Sequence, residues 1–170
     1  MSLSFDNLLL TVHIGAALIA FGVMLAYPVL LLIGNSVMEP EGLPLFHRAQ
    51  LRVIQRLVNP GLAAVVASGL VLALDLGTLG TFYAKWGIVA AIVLGAITGA
   101  YLGPREARLA QMAERDLRAD DDSVSRERDL SADSGALSRE YHALSSQVSR
   151  VTGVASLIVL ATLLVMICHT

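Results

Sequence analysis

Charge is what this chain has least of. Only 15% of its 170 residues are Asp, Glu, Lys or Arg, where a soluble domain carries about 25%. There is one lysine, Lys85, and no lysine or arginine before Arg48. The N-terminus therefore lacks the basic region of a signal peptide, and its first apolar run reads as a retained span. A net charge of −2 gives no electrostatic ground for a nucleic-acid partner. The single cysteine, Cys168, excludes an internal disulfide, a cysteine-based zinc site and a cysteine-ligated iron–sulfur cluster within one chain. A nucleophile elbow, an HExxH zinc motif and a Gly-rich phosphate loop are likewise missing.

What is present is apolar length. The composition is 55% hydrophobic and the mean hydropathy is +0.68. A soluble core of this size could not hide so much apolar side chain, whereas lipid accepts it. The run Leu8–Gly34 has 27 residues and one ionisable side chain, His13. About 20 residues at 1.5 Å rise span the hydrocarbon core. Three more spans follow, at about 57–76, 83–102 and 151–168. The expected fold is all-α: one domain, a four-helix transmembrane bundle of up-down topology, with cytoplasmic helical extensions of spans three and four.

The connections read as follows. Pro28 should kink or end the regular part of span one. The segment Asn35–Arg52 carries Pro40, Glu41-Gly42 and Pro44 and reads as a loop. Arg48, Arg52 and Arg56 share a helix face, either as snorkelling anchors or as an anionic-ligand site. Asn59-Pro60 opens span two, and Pro104 closes span three. The polar insertion covers about 104–148. Within it Arg105–Arg118 reads as a helix with a Glu114–Arg118 pair. The acidic triplet Asp120–Asp122 lies in a solvated loop, with a cation site as the lesser alternative. From Gly135 the 3–4 spacing of Leu137, Tyr141, Leu144 and Val148 runs into span four as one helix.

Span three carries Gly87, Ala91, Gly95, Gly99 and Gly103 at intervals of four. Such a stripe lets another backbone approach closely, within the chain or in a homo-oligomer.

All eleven arginines lie between spans one and two or around the segment between spans three and four. By the positive-inside rule those segments are cytoplasmic and both termini lie outside, in a bacterial inner membrane. That topology brings one ionisable group from each span to the outer half: His13, Asp75, Lys85 and His169. Asp75 and His169 also suit solvated helix ends, and Lys85 suits an interfacial anchor beside Tyr83 and Trp86. His13, roughly 5–10 Å below the outer end, needs a partner helix or a ligand. A neutral imidazole there can ligate haem iron or copper; with Lys and Asp it can relay protons or clamp an anion.

The opening LLLTVHIGAALIAFG resembles the first span of a family of bacterial four-span integral membrane proteins of unknown function. It is more remotely similar to HemJ-type protoporphyrinogen oxidases and to CopD, which share a His in an N-terminal span. FYAKWG, with Lys85 and Trp86, resembles the Lys that opens a later span in HemJ-type proteins. The long segment after Pro104 has no counterpart there. The resemblance implies haem b as a cofactor, with His13 as its ligand and Lys85 as a substrate-carboxylate or proton partner. The functions that follow are a small-ligand-binding or structural subunit of the membrane, a haem-dependent membrane oxidoreductase, or a small oligomeric transporter.

Overall fold

The computed structural model describes residues 5–126 and 137–168, with side chains left undescribed at 120–126. Six α-helices lie in these segments: α1 (Phe5–Val37), α2 (Leu43–Val53), α3 (Asn59–Asp75), α4 (Phe82–Gly95), α5 (Gly103–Arg126) and α6 (Arg139–Cys168). They make four rods, because short π-helical stretches join α2 to α3 (Ile54–Val58) and α4 to α5 (Ala96–Leu102). Each rod contains a stretch long and apolar enough to cross a membrane.

Rod packing closes a ring. α1 packs on α3 and α6, α2 on α5, α3 on α4, and both α4 and α5 on α6. This is the expected all-α four-helix bundle. Large apolar side chains remain exposed along its flanks, among them Leu18, Leu32, Ile92, Leu157 and Leu164. Hydrocarbon is the solvent in which such a surface costs nothing.

Proline explains where the connections differ from the sequence reading. The segment Asn35–Arg52 is not a loop. α1 runs on to Val37, through Pro28, and a 3₁₀ turn at Pro40–Gly42 leads straight into α2. Pro40 and Pro44 occupy first turns, where the missing N–H has no helical partner to lose. Pro60 sits in the first turn of α3, as expected, and Pro104 does not end its rod. Each follows a π stretch by two residues. Asn59 N–H reaches back to Ile54 O, and Gly103 N–H to Thr98 O. The widened turn absorbs the donor that each proline removes, so the rod continues. Asp120–Asp122 lie on the backbone of α5 rather than in a loop; the remainder of the expected loop, 127–136, lies outside the described residues. The single long helix expected from Gly135 into span four is α6, which begins at Arg139 within the described residues.

The core has two apolar layers. One, near the arginine-bearing end, gathers Tyr27, Leu31, Leu43, Ile54, Leu102, Leu109 and Tyr141. The other, at mid-height, gathers Ala20, Phe21, Met24, Leu62, Leu94 and Val159. Gly34 closes the first layer: a Cβ there would sit 2.6 Å from the Phe46 ring. At the other end α3 and α4 are joined by a tight turn in which Gly77 takes a φ of 64°.

Candidate functional site

Above the mid-height layer, toward the end that carries the N-terminus, the rods do not close on one another. They surround a cavity of about 350 Å³. Its wall is almost wholly apolar, drawn from all four rods, with Phe21, Val65, Ala84, Ile88 and Met166 among its residues. Small residues create it. Gly69, Ala73, Ala84, Gly87 and Ala91 face one another where larger side chains would fill the layer.

His13 stands in this wall, half-buried. Its ring packs against Gly69, where a Cβ would come within 2.8 Å of Cε1. Nδ1 is 3.1 Å from Ser68 Oγ. Ser68 itself donates to the Ala64 carbonyl at 2.5 Å, as a helical serine does to the preceding turn. Nearby, Trp86 Nε1 donates to Thr162 Oγ1 at 3.3 Å, and Thr162 lines the cavity. Trp86 also stacks on Phe82.

The other residues singled out by topology are distributed differently. Asp75 and Lys85 are exposed at the same end of the bundle, and neither lines the cavity. His169 lies outside the described residues. In the glycine stripe, a Cβ at Gly87 would meet Met166 at 3.2 Å and Ala91 is buried. At Gly95 and Gly99 a Cβ would meet nothing within 4 Å, and at Gly103 it would graze Leu51. Gly99 and Gly103 border a second, smaller cavity of about 320 Å³ between the two π stretches, with Gln55, Asn59 and Thr98.

Sequence reasoning missed a second polar constellation, buried at the arginine-bearing end. Glu106 on α5 and His47 on α2 are both fully buried. His47 Nδ1–H donates to Glu106 Oε2 at 2.6 Å. Tyr27 on α1 donates its hydroxyl to Glu106 Oε1 at 2.5 Å. His47 Nε2 lies 2.7 Å from the Tyr141 hydroxyl on α6. Tyr141 makes a longer contact of 3.4 Å to Asn35 Oδ1, and Asn35 Nδ2 donates to Ser145 Oγ at 2.9 Å. One chain of hydrogen bonds thus ties together all four rods.

The signal for it was faint but present. Glu106, Leu109, Ala110 and Ala113 recur at three and four on an otherwise polar helix, so Glu106 sits on the buried stripe. Its exposed counterpart is an ion pair between Arg48 and Glu114, which replaces the Glu114–Arg118 pair expected within α5. Arg105 lies over the Tyr101 ring at 3.5 Å. Among the described residues no group of three or more His, Cys, Asp or Glu side chains is arranged to hold a metal ion.

Comparison with protein-family models, with curated proteins and with solved structures finds no match for this chain. The fold and the two sites therefore define it by themselves: a small multi-pass membrane protein with a lipid-facing bundle, a locked polar base and an apolar chamber at the opposite end.

Proposed function

We propose that the chain is a ligand-binding protein of the bacterial cytoplasmic membrane. Both termini lie outside, and the chamber beside His13 takes a small, largely apolar molecule. The carrying observation is the chamber itself: about 350 Å³, apolar walls and one imidazole. Pockets of this size and character, with few polar groups among apolar walls, are the usual form of a small-molecule site. A tightly closed base and an open top are what such a protein needs, since rigidity at one end preserves the cavity at the other.

The haem reading has one supporting residue, His13, which could serve as an axial ligand. The rest of the wall does not fit the group. Haem b carries two propionates, and no Arg or Lys lines the chamber; Lys85 is exposed and is not among the lining residues. An absorption spectrum of the purified protein, beside His13→Ala, tests this alternative. A Soret band lost in the variant would reinstate it.

The test of ligand binding uses Trp86, the only tryptophan of the chain. Titration with a brominated octanol in lipid nanodiscs is expected to quench Trp86 to a plateau. Ala84 lines the chamber, and Ala84→Phe narrows it from α4 while leaving the His13 side chain itself unchanged. That variant is expected to weaken binding by about tenfold or more, as a lost apolar pocket of this kind does. Equal binding by the two proteins would remove the chamber as the site.

A further inference from the structure

We infer that the chamber selects an apolar molecule bearing a hydroxyl group, which donates a hydrogen bond to Nε2 of His13. This deepens the ligand-binding reading and rests on it. The argument follows the protons. Ser68 has one hydroxyl hydrogen, and it is committed to the Ala64 carbonyl. Toward His13, Ser68 Oγ can therefore only accept, so the proton of this pair sits on His13 Nδ1.

The ring is neutral. No carboxylate lines the chamber to balance an imidazolium, and Asp75, the acidic residue at that end of α3, is exposed outside it. An uncompensated cation between apolar walls is costly. The ring has two acceptors beside it, Ser68 Oγ and the Val65 carbonyl, which lie 3.4 Å apart; one N–H on Nδ1 serves both, which leaves the lone pair on Nε2 for a donor. Thr162 is occupied on both sides, donating to the Ile158 carbonyl and accepting from Trp86. The hydroxyls of Thr78 and Tyr83 donate as well as accept, so they do not discriminate between ligand heads. The one lining nitrogen that accepts without donating is His13 Nε2. An alcohol or a phenol satisfies it. An ether, a ketone or a plain alkyl chain leaves it unpaired.

The experiment compares matched pairs in nanodiscs, with concentrations given as mole fraction in the bilayer. A brominated octanol is set against its methyl ether, and a brominated alkylphenol against its methyl ether. Quenching of Trp86 is the readout. Each hydroxyl form is expected to bind about fivefold tighter than its ether, the usual value of one net hydrogen bond. In His13→Ala the two members of each pair are expected to bind alike. The pair with the larger ratio tells whether the natural head is an aliphatic alcohol or a phenol. Equal binding of alcohol and ether to the wild-type protein would overturn the inference while leaving the chamber as a ligand site. If neither member of either pair quenches to a plateau, the ligand-binding reading falls, and the inference with it. The wild-type comparison needs no variant, so a poorly folded His13→Ala does not blunt the test.

Discussion

Replacing Glu106 by Ala is expected to cost about 3–5 kcal/mol of stability, the range for breaking a buried ion pair from one side. The carboxylate is fully buried and receives two hydrogen bonds, from His47 and Tyr27. Truncation leaves a buried N–H and a buried O–H without their acceptor. The loss reaches every rod, because the same chain continues through Tyr141 and Asn35 to α6 and α1. Glu106→Gln keeps the shape and one acceptor, so it should lose about half as much by the same reckoning. Glu114→Ala removes an ion pair whose Arg48 side chain is 57% exposed, and should cost less than about 1 kcal/mol. Unfolding in mixed micelles ranks the three. A loss under about 1 kcal/mol for Glu106→Ala would mean that the network is not a clamp. Pairing Glu106→Met with His47→Phe should recover part of the loss, since buried pairs exchange well for apolar packing.

Cys168 is expected to react with a membrane-impermeant maleimide added to intact cells. It is exposed at the end of α6, opposite the end where the arginines gather. In the orientation proposed above, with the arginine-bearing end cytoplasmic by the positive-inside rule, that end is extracytoplasmic. In a Cys168→Ser background, Glu41→Cys in the turn between α1 and α2 should label only after the membrane is permeabilised. Glu41 is exposed, so access is decided by the membrane and not by burial. The effect is all or none. The opposite labelling pattern would invert the orientation and with it the side from which the chamber is reached.

How much of this was legible depended on the range of the interactions. Four spans and their up-down order follow from apolar run lengths, because hydrocarbon thickness sets them directly. The connection between spans one and two did not. Its prolines read as loop formers, yet Pro40 and Pro44 sit in first turns and extend the helical structure. Pro104 read as a stop, but a π stretch before it carries the rod onward. Both errors have one source. Proline forbids a hydrogen bond, and its neighbours decide whether that bond was needed.

His13 stood out because a lone imidazole in an apolar run has few explanations. Its partner Ser68 looked like one more small residue. Asp75 and Lys85 were gathered with it by counting residues to the membrane edge, which fixes depth and not the direction around the helix. That direction is what keeps them off the chamber wall. His47 and Glu106 were invisible as a pair. They lie 59 residues apart, in segments where Arg48, Arg52, Arg108, Arg115 and Arg118 are exposed and set the polar character.

The most direct measurement is an experimental structure of the protein crystallised with the brominated octanol, using the anomalous signal of bromine. A peak inside the chamber, between His13 and Thr162, with the hydroxyl within hydrogen-bond reach of His13 Nε2, is the expected result. Bromine found only along the outer, lipid-facing flanks of the bundle would contradict it.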